Sequence, residues 1–332
     1  MKVLVTGGAG YIGSHTVVEL LDNNYDVIVV DNFSNSKPIV IDRIKEITGK
    51  NFKFYEVDVC DKEKLEVVFK ENKIDAVIHF AGFKAVGESV SVPLKYYRNN
   101  IDSTLTLLEL MDKYGVRKIV FSSSATVYGN PEELPIKETA RLSTTNPYGT
   151  TKLYIEGILK DLYNSNNDYS IAVLRYFNPV GAHKSGLIGE SPNGIPNNLV
   201  PYIVKVAKKE LDHLNVFGND YDTPDGTGVR DYIHITDLAR GHISALKYIT
   251  NHKGIDYYNL GTGHGYSVME MVNTFESVNH VKVPYEITSR RSGDIATCYA
   301  DTSYANERLN WHAELELNDM LESAYNYAKK NE

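Results

Sequence analysis

The chain is short of three things. Two cysteines in 332 residues, Cys60 and Cys298, stand far apart. They form neither a disulfide framework nor the close spacing of a metal site, and they suit a reducing, cytoplasmic compartment. Positive charge is also scarce: 35 Lys and Arg against 43 Asp and Glu leave a formal net charge of -8. A phosphate backbone needs a cationic face, so no nucleic-acid partner is expected. A small anion held by a few local arginines is compatible with that charge. Finally, no apolar run is long enough to cross a bilayer, and "MKVLVTGG" enters a glycine loop too soon for a signal peptide. No membrane partner is expected.

What is present reads as a globular α/β protein, 42% hydrophobic and 23% charged. "KVLVTGGAGYIG" combines a buried strand, a glycine turn and a helix from about Ser14 to Asn23. "YDVIVVDN", "FKFYEVDV", "DAVIHFAG", "RKIVFSSSATVYG" and "YSIAVLRYFNPVG" supply five more strands. Helices are expected through Leu65 and Phe69, near Thr104–Tyr114, and from Pro147 onward. Continuous apolar strands alternating with helices predict a Rossmann-type, doubly wound parallel sheet covered on both faces. After Gly181 the rhythm breaks. "HKSGLIGESPNGIPNN" reads as a loop over a site. The expected division is a Rossmann domain over 1–180, with a returning segment near 230–262, and a smaller α/β substrate-binding domain over 181–332.

Gly8, Gly10 and Gly13 fit G-x-G-x-x-G, and Gly7 adds the G-x-x-G-x-x-G variant. Glycines here permit a tight turn and let backbone N–H groups approach a pyrophosphate at a helix N-terminus. The position between the first strand and the first helix makes the pattern informative. Asp31 closes the second strand, where a carboxylate accepts ribose hydroxyls and repels the extra phosphate of NADP, so NAD is the expected cofactor. Asp58, read as ending the third strand, is placed toward the adenine edge. No metal is expected.

"TTNPYGTTK" begins a helix: Asn146 suits the N-cap, Pro147 the first turn, and Tyr148 and Lys152 then share one face. A tyrosine has a pKa of about 10, and bringing it to neutrality takes roughly 4 kcal/mol of preferential phenolate stabilisation. A neighbouring ammonium and a positive nicotinamide ring are partners of the required kind. Ser124, at the C-terminal end of the fifth strand, can hydrogen-bond the same substrate oxygen. His79, inside an apolar strand, is expected to be a satisfied core histidine.

Taken in order, "TGGAGYIG", "SSSATVYG", "NPYGTTK", "RYFNPVGAH", "IPNNLVPY", "GTGVRDYIH" and "RRSGDIATCYAD" resemble the UDP-glucose 4-epimerase family of extended short-chain dehydrogenases/reductases. The resemblance runs from Met1 to at least Trp311. It implies a cytoplasmic, commonly homodimeric isomerase of galactose metabolism. Bound NAD takes a hydride from sugar carbon 4, and the transient 4-keto sugar turns over before hydride and proton return. Tyr148 is then the base, Ser124 orients the 4-oxygen, and Lys152 holds the nicotinamide ribose and depresses the phenol's pKa. Besides the glycines and acids already named, Tyr11, Ile12, Asn32, Asn35, Ser36, Val59, Phe80, Ala81, Gly82, Lys84, Asn99 and Phe177 carry over as cofactor contacts. Arg230 and Arg291 carry over to the diphosphate, Phe217 to the uracil, and Asn178, Asn198, Leu199 and Asp294 to the rest of the nucleotide sugar. Cys298 matches a position where a small side chain leaves room for an N-acetyl group on carbon 2.

The resemblance also orders the alternatives. A nucleotide-sugar 4,6-dehydratase must eliminate water, which needs a further acid and base. Related dehydratases carry an Asp-Glu pair after the residue matching Ser124, where this chain has Ala125 and Thr126. A UDP-glucuronate epimerase and a non-catalytic NAD-binding sensor stand as the other readings. Homodimers of the family pair helices of the first domain, which makes Thr104–Tyr114 and Tyr148–Tyr163 the candidate segments.

Overall fold

The computed structural model describes residues 1–331 except 192–195, 197 and 292–293. Parts of two motifs, Ile195 and Asn197 of "IPNNLVPY" and Ser292 and Gly293 of "RRSGDIATCYAD", therefore lie outside the described residues, as does part of the loop expected over the site.

The first half alternates strand and helix. β1 (Lys2–Thr6), α1 (Tyr11–Asp22), β2 (Asp26–Asp31), α2 (Ile39–Thr48), β3 (Lys53–Glu56) and α3 (Lys62–Glu71) come first. β4 (Ala76–His79), α4 (Val86–Ser91), α5 (Pro93–Lys113), β5 (Lys118–Ser124), α6 (Pro147–Ser165) and β6 (Ser170–Tyr176) follow. The remainder runs β7 (Asn178–Val180), α7 (Leu199–Ala207), β8 (Leu214–Phe217), β9 (Val229–His234), α8 (Ile235–Asn251) and β10 (Gly254–Leu260). It ends with β11 (Gly265–Ser267), α9 (Val268–Asn279), β12 (Tyr285–Thr288), β13 (Thr297–Cys298), α10 (Ser303–Leu309) and α11 (Leu317–Lys330).

Among the described residues the main sheet has seven strands in the order β10-β6-β5-β4-β1-β2-β3. Every neighbouring pair is parallel. Its central strands β1, β2, β4, β5 and β6 are largely buried because both faces are covered. Leu20, Leu21, Leu238 and Leu246 of α1 and α8 pack on one face. Leu65, Leu107, Leu110 and Leu159 of α3, α5 and α6 pack on the other. A separate core joins α7, α9 and α11 to β8 and β9. β9 is the spine of a second sheet, flanked by β11 and β13 and paired farther along with β7.

Several boundaries differ from expectation. The first helix starts at Tyr11 because extended Gly10 is its N-cap. The third strand ends at Glu56, so Asp58 lies in the following loop. The helix expected near Thr104 begins at Pro93, and α2 and α4 were not foreseen. The chain returns to the main sheet with α8 and β10, whereas Val229–His234 pairs in the second sheet. His79 is a satisfied core residue, bonded at Nδ1 to Thr6 Oγ1 (2.7 Å) and at Nε2 to Thr104 Oγ1 (3.1 Å).

Candidate active site

A cleft of about 280 Å³ opens at the C-terminal edge of the main sheet. The order reverses there between β1 and β4, the crevice where such sheets bind ligands. The β1–α1 turn builds one end. Gly7 has φ +69°, and a Cβ on Gly13 would sit 2.2 Å from the Gly7 carbonyl oxygen. Side chains are thereby kept out of the turn, and α1 begins without a side-chain cap on its N–H groups. Uncapped N–H groups at a helix start suit a phosphate, so the cradle fits a dinucleotide.

Asp31 is held rather than merely present. Its Oδ2 accepts from Ala9 N (3.0 Å), and its Oδ1 accepts from Phe33 N and Ser36 Oγ (both 2.9 Å). Asn32 donates to Asp58 Oδ2 at 3.0 Å, while Asp58 Oδ1 accepts from Cys60 N at 2.8 Å. Glu190 takes two donors on one oxygen, Lys84 Nζ at 3.0 Å and Asn198 Nδ2 at 3.1 Å. Tyr11 donates to the Gly181 carbonyl at 2.6 Å, which ties α1 to the end of β7. Ile12, Asn35, Val59, Phe80, Ala81, Gly82, Asn99 and Phe177 line the same cleft, so the cofactor-side candidates meet there except Gly8, which packs on Val5 and Val29.

At the other end α6 meets β5. Asn146 caps the helix by accepting from Gly149 N at 2.8 Å, with Pro147 in the first turn. That start puts Tyr148, Lys152 and Glu156 on one face, opposite three successive serines. Lys152 Nζ donates to the Ser122 carbonyl at 2.8 Å, and Ser123 Oγ donates to Glu156 at 2.6 Å. Ser124 lines the cleft with Tyr148 and accepts from Thr126 Oγ1 at 3.0 Å. Burial pushes the phenol up to about 12, with Ser124 pulling it down. Burial also lowers Lys152 to about 8, and the Glu156 carboxylate pulls it back up. The expectation that Lys152 draws the phenol toward neutrality is thus not met by side chains alone. The ammonium is committed to a carbonyl and lies 5.9 Å from the phenol ring centre.

Of the substrate-side candidates, Ser124 and Asn198 line this cleft. Asn198 is also the residue before α7, which Leu199 begins. Asn178, Phe217, Arg230, Arg291, Asp294 and Cys298 come from the second half and its flanking strands. Arg291 pairs with Asp294 at 2.9 Å and lies over the Phe217 ring at 4.7 Å. Arg230 donates to the Val229 carbonyl at 2.8 Å, and Asn178 donates to the Asp231 carbonyl at 2.8 Å. Cys298 is opposite Arg230 in the β9–β13 pair and packs on a core containing Val127, Ile136 and Phe177. Burial pushes its thiol up to about 11, so it presents a small neutral side chain. Sequence reasoning missed Glu190, Thr126, Asp231 and the buried pair Glu156–Arg175. The signal for the last was a lone charge in the apolar strand "IAVLRY".

Fold and cleft define an NAD-dependent enzyme of the short-chain dehydrogenase/reductase class. A family model described as GDP-mannose 4,6 dehydratase matches residues 4–324. The UDP-glucose 4-epimerase of Bacillus subtilis (strain 168) is 60% identical, covering 100% of this chain and 98% of that protein. The UDP-glucose 4-epimerase of Pasteurella multocida (strain Pm70) is 58% identical over the same shares. In structure, the Bifidobacterium longum UDP-glucose 4-epimerase in complex with NAD+ and UDP aligns with TM-score 0.96 and 57% identity, covering 100% of this chain and 99% of that one. The chain belongs to the UDP-glucose 4-epimerase family. The dehydratase named by the family model is disfavoured by chemistry: Ala125 and Thr126 open a 3-10 turn after Ser124 and offer no carboxylate.

Proposed function

We propose that this protein is an NAD-dependent isomerase that interconverts UDP-galactose and UDP-glucose by inverting carbon 4. The observation that carries the reading is Ser124, Tyr148 and Lys152 converging on one cleft in a chain 60% identical, end to end, to a UDP-glucose 4-epimerase. We assign residues 1–180 and the 235–260 return to cofactor binding, and the rest of 181–332 to the UDP-sugar.

Bound NAD supplies a hydride acceptor, later the donor, and a positive ring beside the phenol. Gly7, Gly10 and Gly13 would hold its pyrophosphate, and Asp31 its adenosine ribose. Tyr148 removes the proton of the sugar 4-hydroxyl, while Ser124 orients that oxygen and relays the proton. Lys152, still mostly charged at pH 7 with a pKa of about 8, holds the nicotinamide ribose. Arg230 and Arg291 grip the diphosphate through charge-assisted hydrogen bonds. Asn178, Asn198, Leu199, Phe217 and Asp294 complete the nucleotide grip. The hexose is held loosely, so the 4-keto sugar can turn before Tyr148 returns the proton. Incubated with UDP-galactose and no added NAD, the purified protein yields UDP-glucose. Bound NAD with no conversion would favour a sensor instead.

We infer a second substrate pair from Cys298. A small neutral wall leaves room beside carbon 2, so UDP-N-acetylglucosamine and UDP-N-acetylgalactosamine are interconverted as well. Cys298→Tyr abolishes the N-acetyl reaction and spares the other. Equal loss of both rates would contradict this.

A homodimer is the proposed assembly, and of the two candidate segments Tyr148–Tyr163 presents the more exposed apolar residue, Tyr154. Leu107, Leu108, Leu110 and Met111 are buried against the sheet. Exposed apolar residues on α4, α5 and α6 include Val90 at 62%, Leu94 at 80%, Leu105 at 40% and Tyr154 at 54%. Leu94→Asp shifts the sedimentation velocity from dimer to monomer, and an unchanged dimer would remove Leu94 from the interface. Among the described residues no helix is long and apolar enough to cross a membrane. We place the enzyme in the cytoplasm, where its two cysteines stay reduced.

A further inference from the structure

Arg230 is followed by an acid that does not reach the cleft. Asp231 is 0% exposed, an environment that is costly for a carboxylate unless its oxygens are satisfied. They are. Oδ1 accepts from Thr262 N and Thr262 Oγ1, both at 2.8 Å. Oδ2 accepts from Gly263 N and Ala300 N, both at 3.1 Å. Space is tight as well: a Cβ on Gly261 would come 2.5 Å from Oδ2.

These donors come from two places. Thr262 and Gly263 follow β10, the edge strand of the main sheet, and Ala300 follows β13, which carries Cys298. The backbone pairing of β9 with β13 covers only Thr297 and Cys298. Beyond it, Ala300 N bonds to the Asp231 side chain instead of to a β9 carbonyl. The strand thereby leaves β9 and bridges Ile136, whose N–H donates to the Tyr299 carbonyl at 3.0 Å. That detour brings Ala300 and Cys298 against Phe177 and Val127, beside the cleft. The backbone carbonyl of Asp231 meanwhile accepts from Asn178 at 2.8 Å. One residue thus sits at the junction of the main sheet, the arginine strand and the cysteine strand.

We propose that Asp231 is a positioning residue for substrate, locking Arg230, Asn178 and Cys298 into one register relative to the main sheet. This rests on the epimerase reading, because it assigns those three residues to the diphosphate, nucleotide and sugar. Asp231 touches neither substrate nor cofactor; it acts through its neighbours. The amide of Asp231→Asn would point an NH2 group at two of the four inward donors and push away either Thr262 or both Gly263 and Ala300. Thr262→Val is the milder change, removing one donor from a half-buried loop residue.

The test uses the NAD-loaded protein. UDP affinity is measured by titration calorimetry, and KM and kcat with UDP-galactose and UDP-N-acetylgalactosamine. For Asp231→Asn, UDP binding weakens at least tenfold and KM rises in parallel. Bound NAD is unchanged, kcat stays within about threefold, and the plain-to-N-acetyl ratio of kcat/KM shifts. Thr262→Val moves the same quantities in the same direction, by about threefold, and decides alone if the Asn variant does not fold. A lower Tm with UDP affinity and both KM values unchanged would overturn the proposal and leave Asp231 a purely structural anchor. If the unsubstituted protein binds UDP but converts neither sugar, the epimerase reading fails first, and the two failures are told apart.

Discussion

Tyr148→Phe leaves NAD bound and lowers turnover by about 10²–10⁴-fold, the contribution of a well-placed general acid–base group. The substitution removes one oxygen and keeps the ring that packs at the start of α6. The proposed cofactor contacts are spread over the glycine turn, Asp31 and Lys152, none of which needs the phenol. Burial holds the phenol at about 12, with Ser124 pulling it down. The resting group is therefore protonated, and proton transfer depends on substrate and cofactor being in place. Steady-state turnover and NAD released on denaturation separate the two effects. Near-normal turnover would mean that another group is the base.

The largest loss of stability is expected at Arg175. It is 2% exposed and bidentate with Glu156, Nε to Oε1 at 3.0 Å and Nη2 to Oε2 at 2.7 Å. Nη1 also donates to the Tyr128 hydroxyl and the Glu138 carbonyl, each at 3.0 Å. Arg175→Met strands a buried carboxylate and costs about 3–5 kcal/mol. In a chain of this size that is a drop in Tm on the order of 10 °C. Replacing both partners removes the unpaired charge, so Glu156→Leu combined with Arg175→Met recovers much of the loss. Thermal unfolding of the single and double variants reads this out. A single-variant loss below about 1 kcal/mol would show that the pair is not the anchor described. Because Glu156 is one turn beyond Lys152 and bonds Ser123, the same anchor sets how the catalytic helix meets β5.

Much of this was legible in the chain because short-range physics wrote it. Apolar strands such as "VIVV" and "IAVL" must be covered on both faces, and that requirement predicted the parallel sheet. A capped helix with Tyr148 and Lys152 on one face followed from Asn146, Pro147 and a spacing of four. What stayed hidden depends on contacts distant in sequence. Asp231 and Ala300 are 69 positions apart, and Lys84 and Glu190 are 106 apart. Neither pairing has a local pattern. Strand ends were misread for a related reason. Val57 and Asp58 continue the apolar-polar rhythm of β3, but the sheet partner needed to extend it ends at Asp31. The direction of the phenol's shift was also out of reach, since it depends on how deeply Tyr148 is buried.

The most direct test of the central claim follows the hydrogen on carbon 4. UDP-galactose deuterated at that position is incubated with the purified protein, without added NAD, and the UDP-glucose formed is analysed by mass spectrometry and NMR. Hydride leaving to a bound cofactor and returning to the opposite face predicts conversion with the deuterium still on carbon 4. Conversion with the deuterium exchanged for solvent hydrogen, or conversion only when NAD is supplied as a co-substrate, would contradict it.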